Sequence, residues 1–429
     1  MPVINMFFEK KIFSNSLWMM LEKFLGIFGL IFVNSYMAKY IGPENFGKLA
    51  FTTSIFIFVQ TLSWFGAQNI LFKRFSENIQ SGIRLAISTQ LMRNSIYFII
   101  SIFALIYLWF SSDTLTFVFG VGNFIASYFL VNDFFSIHNN SQLISIVNAL
   151  TNIIGLFLAL TLRFILVLFE ADAYTMIFPI IIMAMIPFFL RKTYFYKKYK
   201  KIQNKKYNKK YNNYMLMTGG SLVLSTLSIV LYTQISNIFL AKFTSFADLG
   251  VYNVALTLGA AWNFINIALI TSYFSKIYAT SNDLVELRYL RQIHWLIILV
   301  ALSAMTGVFL FGSWGVRVLY GEEFIDAIKL LPFIVFATML SALGTVSYRY
   351  IMKLNGYKYL SIKMLIVSLL SIPLSYFSIQ NYGILGAAYC FIVIELLSLT
   401  IANYFFKNGC ILKMHLKVFG FKSKVKEII

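Results

Sequence analysis

The chain has 429 residues, 59% of them hydrophobic and only 12% charged, with a mean hydropathy of +0.76. That composition excludes a soluble globule and points to a bilayer. The net charge of +20 would suggest nucleic acid in a soluble chain; here the basic residues lie between apolar runs, so a cytoplasmic membrane face accounts for them and no nucleic-acid partner is expected.

A spanning helix needs about 20 apolar residues, and the chain reads as about twelve such runs. Residues 13–36 form the first, interrupted by Glu22 and Lys23, and 49–72 the second. Runs 94–110 and 114–132 are separated by Ser111, Ser112 and Asp113; 142–162 and 173–190 complete the first half. Charges between Arg163 and Asp172 mark an outer loop or a re-entrant piece. The second half holds 214–241, 249–275, 293–316, 330–348, 364–380 and 383–406. Lys10 and Lys11 precede a run of spanning length without a small-residue cleavage site, so no cleavable signal is expected. Pro179, Pro187, Pro332 and Pro373 fall inside runs and are candidate kinks.

Orientation follows from Lys and Arg. With the N-terminus inside and the runs alternating, 29 of the 36 basic residues fall on inner segments and 6 on outer ones, which places both ends in the cytoplasm. The inner segment 133–141 carries no Lys or Arg, whereas 191–213 carries ten with interleaved Tyr. The latter reads as a topology-fixing linker that can also attract anionic phospholipids.

Residues 34–47, NSYMAKYIGPENFG, return at 237–250 as NIFLAKFTSFADLG. Asn34, Ala38, Lys39, Phe46 and Gly47 face Asn237, Ala241, Lys242, Leu249 and Gly250 at a constant offset of 203 residues, close to half the chain. An internal repeat of that period implies two similar halves, as in many transporters. The division expected is an N-terminal lobe over 1–190, a basic linker over 191–213, a C-terminal lobe over 214–406 and a basic tail over 407–429.

The first copy, with Leu17-Trp18 and Leu21-Glu22-Lys23 before it, resembles the start of the polysaccharide transporter family. These are the Wzx-type O-antigen and repeat-unit flippases of the multidrug/oligosaccharidyl-lipid/polysaccharide exporter superfamily. The family usually shows Ala-Arg-Tyr-Leu-Gly where this chain has Ala38-Lys39-Tyr40-Ile41-Gly42, so the charge at 39 is kept without the forked guanidinium. The resemblance implies an all-α integral membrane fold with two six-helix lobes. It also implies a flippase for a polyprenyl-pyrophosphate-linked oligosaccharide in the bacterial inner membrane, serving O-antigen or lipopolysaccharide synthesis beside a polysaccharide polymerase. A multidrug antiporter of the same superfamily and a non-transporting scaffold of a polysaccharide assembly complex are the alternatives. Residues 73–93 lack the Asp-Arg-x-Gly-Arg-Arg type motif of major-facilitator transporters.

No enzyme signature is present. His138, His294 and His415 lie on different segments without metal-ligand spacing, and Gly219-Gly220-Ser221 lacks Walker spacing and its Lys. No cofactor is expected beyond an H⁺ or Na⁺ gradient. The informative residues are charges inside the membrane, each costing at least about 2.5–3.5 kcal/mol unless it faces a cavity or a partner. Lys23, Lys39 and Arg349 are candidate contacts for the pyrophosphate, and Trp64 with Gln68, read as one turn apart in the second helix, for the sugar. Glu395, alone and deep in the last run, is the first candidate for ion coupling; Glu22 follows, ahead of Asp133, which is expected nearer water.

Overall fold

The computed structural model describes residues 2–199, 209–280 and 282–420, and every regular element among them is helical. The chain forms two compact units, Met1–Leu231 and Tyr232–Ile429. The first holds α1 (Pro2–Trp64), α2 (Ala67–Glu77), α3 (Ile79–Ser111), α4 (Thr114–Asn132), α5 (Phe134–Ser141), α6 (Ser145–Leu168) and α7 (Ile177–Lys198). Helix α8 (Lys209–Phe243) contains the division. The second unit continues with α9 (Phe246–Gly259), α10 (Asn263–Ala279), α11 (Asp283–Leu319), α12 (Ala327–Lys353), α13 (Tyr357–Leu399), α14 (Ile401–Tyr404) and α15 (Cys410–Val418).

Nine helices among the described residues are long and apolar enough to cross a membrane, and α9 with α10, bent by 44°, make a tenth. Two of the helices are too long to be single spans. At 1.5 Å per residue, the 63 residues of α1 and the 43 of α13 would be about 95 and 65 Å long against a hydrocarbon core of about 30 Å. Each is broken by a glycine in a conformation other residues rarely adopt: Gly42 at φ 77°, followed by Pro43, and Gly383 at φ 55°. At Gly383 the chain turns back on itself. A Cβ at Gly386 would collide with the Ser378 carbonyl, and Ser375 shares a hydrogen bond with Cys390 at 3.1 Å, although they are fifteen residues apart. So α13 is a hairpin and α1 is two arms, and the nine or ten spans among the described residues count each of these broken helices once, which is why they are fewer than the roughly twelve apolar runs.

The repeat reappears as a pattern of contacts. In the first unit, the first arm of α1 lies on α6 through Asn34 with Arg163 and Tyr36 with Phe164. In the second, α8 lies on the first arm of α13 through Ser236 with Ser375 and Phe243 with Tyr376. The second and third spans of each half pack on the fourth, α4 or α12, so the fourth is the centre of each unit. Both copies of the 34–47 motif close the first span of a half and open its second.

Helix ends differ from the apolar runs because helices continue past the point where apolar side chains stop. The run starting at 94 belongs to a helix that starts at Ile79, where Asn78 caps it by accepting from Ser81 N at 2.9 Å. The charged stretch 163–172 is the end of a helix and a short connection and not a re-entrant piece: α6 continues to Leu168, and a 3₁₀ turn, Ala173–Met176, leads into α7. The second run, expected over 49–72, ends at Trp64, where Phe65 at φ 46° and Gly66 at φ 69° break the helix before α2. The basic stretch 191–213 begins inside α7; residues 200–208 lie outside the described residues.

The two cysteines report on this topology. Cys390 is fully buried in the hairpin, and Cys410 is half-buried at the start of α15, past the last span. We expect a membrane-impermeant maleimide to leave both unmodified in intact cells and to label Cys410 alone in inverted vesicles. Burial pushes the Cys410 thiol above its ordinary pKa, and only the thiolate reacts, so labelling should accelerate as pH rises through 8 to 10. Labelling of Cys410 from outside would mean an odd number of spans or the opposite orientation.

Candidate functional site

The polar groups inside the spans differ between the two units. The first unit buries three guanidinium groups. Arg93 on α3 is fully buried; it donates to the Val131 carbonyl at 3.0 Å and the Ala86 carbonyl at 3.3 Å, and lies over the Trp64 ring at 5.0 Å. Arg163 on α6 donates to Asn34 Oδ1 at 2.9 Å. Neither has a carboxylate within ion-pair distance among the described residues, and the Nε of each has no hydrogen-bond partner among them. Arg191 on α7 is different. Its Nε donates to Thr151 at 2.9 Å, and its other nitrogens meet Asp133 and Asn152, so one side chain ties the end of α4 to α6 and α7.

That last contact corrects the expectation for Asp133, which is buried and ion-paired instead of lying near water. It also accepts from Ser136 N at 3.2 Å and so caps α5. The segment 133–141, which has no Lys or Arg of its own, therefore receives an arginine from α7.

In the second unit Glu286, in the first turn of α11, is buried and ion-paired to Lys353 of α12, and the other buried charges sit on the α13 hairpin. Glu395 is 5% exposed, with the Ser341 hydroxyl as a hydrogen-bond partner and Lys363 as a charged neighbour. It is therefore not the isolated carboxylate the sequence implied. Lys363, on the opposite arm, is 4% exposed and was hidden from sequence reading because it stands at the edge of an apolar run, where a loop lysine is expected. Arg93 and Arg163 escaped for the same reason. The one available signal was that each borders a run long enough for the helix to carry the residue inward.

Of the residues expected to meet substrate, Lys39 is exposed at the C-terminal end of the first arm of α1, and Arg349 is half-buried near the C-terminal end of α12, over the Phe274 ring at 5.9 Å. Trp64 and Gln68 are not brought together. The break at Phe65 and Gly66 puts them on different helices, Trp64 beneath Arg93 and Gln68 exposed on α2. The side chains of Glu22 and Lys23 lie outside the described residues.

The sequence matches the family model described as polysaccharide biosynthesis protein over residues 36–329, more than half of the chain. The chain belongs to this family. In fold it is similar to the lipid II flippase MurJ in an inward closed conformation, with a TM-score of 0.66 at 15% identity, covering 95% of this chain and 90% of that one. It is also similar to an inward-facing multidrug resistance MATE family transporter of the MOP superfamily, with a TM-score of 0.54, 12% identity and 96% of each chain covered. The eukaryotic MATE transporter AtDTX14 aligns with a TM-score of 0.57 at 12% identity, over 96% of this chain and 98% of its own. No curated protein matches the sequence. The fold is thus that of the multidrug/oligosaccharidyl-lipid/polysaccharide exporter superfamily, and the protein is a multi-pass membrane protein.

Among the buried charges the Asp133–Arg191 pair lends itself to a direct test. Removing one partner leaves the other charge buried and uncompensated, a loss of about 3–5 kcal/mol. We expect Arg191→Ala and Asp133→Asn each to lower thermal stability in detergent strongly, and the double variant to lose less than the sum of the two. Strictly additive losses would mean that the two side chains act independently.

Proposed function

We propose that this chain is a flippase that moves a polyprenyl-pyrophosphate-linked oligosaccharide, an O-antigen or similar repeat unit, across the bacterial inner membrane by alternating access, with both termini in the cytoplasm. The observation that carries the reading is the match to the polysaccharide biosynthesis family over residues 36–329, on a chain with the fold of a lipid II flippase. The physical problem is the substrate's head group. Its tail is soluble in hydrocarbon, whereas pyrophosphate and many hydroxyls would lose their water on crossing unaided. A protein lowers that barrier by offering polar and cationic groups inside the membrane. Arg93 and Arg163, buried without carboxylate partners among the described residues, support an anionic ligand. To them the proposal adds Lys23, Lys39 and Arg349 as phosphate contacts, and Trp64 and Gln68 as separate sugar contacts.

For coupling to an H⁺ or Na⁺ gradient Glu395 comes first, a buried carboxylate without an ion pair closer than 4 Å among the described residues. Glu22 comes next, and Asp133, committed to Arg191, last. In this reading the moving bodies are the lobes 1–190 and 214–406 joined by the basic linker, which attracts anionic phospholipids, and a polysaccharide polymerase receives the product. A multidrug antiporter is the second reading, favoured by the similarity of fold to MATE transporters.

Deletion of the gene distinguishes them. A flippase should leave lipid-linked sugar accumulating on the inner face and surface polysaccharide depleted, with drug sensitivity unchanged. Unchanged lipid-linked sugar with raised drug sensitivity would establish the antiporter instead. In vesicles with an imposed ion gradient, Glu395→Gln should lose gradient-driven flipping while still binding substrate, and Glu395→Asp should retain part of it. Gradient-driven transport by the Gln variant at the wild-type rate would leave Glu395 as a packing residue.

A further inference from the structure

The α13 hairpin carries a feature that sugar transport does not use. A groove of about 340 Å³ runs along it, lined mostly by aliphatic side chains with Tyr359 and Phe405 at its aromatic positions. Ile362, Ile366, Leu370 and Leu374 stand four residues apart on one face of the first arm, and Leu397 and Ile401 face them from the second arm and α14. From Tyr359 to Leu374 the first arm contributes about 22 Å of length. The groove is open: Ile362, Ile366, Leu370 and Ile401 are each about half exposed. Apolar surface that stays open on a membrane-spanning hairpin faces hydrocarbon, so its occupant is a hydrocarbon chain.

One lining residue does not suit a purely apolar contact. Lys363 is 4% exposed, yet it makes no hydrogen bond or ion pair among the described residues. Its charged neighbour, Glu395, lies beyond ion-pair distance. An ammonium buried in this way lacks the acceptors that normally offset its desolvation. It stands six residues into α13, about 9 Å of rise from the inner helix end, near the depth at which lipid phosphates meet acyl chains. A lysine stem there can carry the charge toward the head-group layer.

We propose that the groove binds an anionic phospholipid of the inner leaflet, one acyl chain lying against the hairpin and its phosphate on Lys363. The groove's length suits this occupant, since each leaflet contributes about half of a 30 Å hydrocarbon core and the remainder reaches the head-group layer. Charge complementarity completes the argument, because the cytoplasmic leaflet supplies anionic lipid at this end. The inference rests on the orientation proposed above and not on the identity of the transported sugar.

The test uses the full chain in nanodiscs with photoactivatable phosphatidylglycerol and phosphatidylcholine bearing the reactive group on an acyl chain, and peptide mapping of the adducts. Phosphatidylglycerol should label the peptide spanning 359–374 about fivefold more than phosphatidylcholine. Lys363→Met should abolish that preference while chain labelling persists, Lys363→Arg should keep it, and Ile366→Trp, which fills the groove, should remove labelling by both lipids. Equal labelling of the wild-type protein by the two probes would reduce the groove to an unselective lipid contact and overturn the proposal. Displacement of phosphatidylglycerol by polyprenyl phosphate at equal mole fraction would overturn it too, by assigning the groove to a carrier lipid. If Lys363→Met does not fold, the wild-type comparison with Lys363→Arg and Ile366→Trp still decides, and a null result here leaves the deletion phenotype untouched.

Discussion

Hydrocarbon offers a backbone no water, so every peptide group inside it must be satisfied within the chain. That constraint shapes the whole molecule. It forces helices, and since a span is about 30 Å thick, it forces helices as long as α1 and α13 to turn at the membrane surface. The turns are made where glycine lets φ become positive, at Gly42 and Gly383. At the first of them, Lys48 bonds Glu44 at 2.8 Å and Asp113 at 3.0 Å, fastening the bend in α1 to the turn between α3 and α4. The hairpin in α13 needs a second glycine, Gly386, because a side chain there would strike the Ser378 carbonyl.

The same constraint applies to side chains and separates two kinds of buried charge. Arg191 has its donors answered by Asp133, Thr151 and Asn152, and such a closed network holds helices in one arrangement. Among the described residues Arg93 and Arg163 are answered only by neutral oxygens and, for Arg93, the Trp64 ring, Glu395 by Ser341 and by Lys363 at a distance, and Lys363 by Glu395 alone. Incompletely answered charges are costly to keep in a membrane, and function is the usual reason they persist. The open charges are therefore the informative ones, and the closed pair explains stability.

The internal repeat also gains physical meaning. Fourteen aligned positions are a weak signal, but the repetition extends to packing: in each half the first span lies on the fifth and the fourth is central. Similar contacts recur with different residues, Asn34 with Arg163 in one half and Ser236 with Ser375 in the other. The architecture has been kept while the chemistry of the two halves has diverged, leaving guanidinium groups buried in one and a lysine–glutamate couple in the other.

Hydropathy alone determined that the chain spans a membrane, about how many times, and by its lysines and arginines which way it is expected to face, because those properties depend on composition averaged over 20 residues. The family was legible in Ala38 to Gly47 for a different reason: a tight turn between two spans admits few residues. Helix ends, and with them the location of Arg93, Arg163 and Lys363, were not legible, since a basic residue beside an apolar run reads alike whether its helix stops or continues. The pairing of Asp133 with Arg191 and of Glu395 with Lys363 was equally hidden. Asp133 and Arg191 are 58 positions apart in the chain and Glu395 and Lys363 are 32 apart, and only helix packing makes the first two an ion pair and the second two neighbours beyond ion-pair distance.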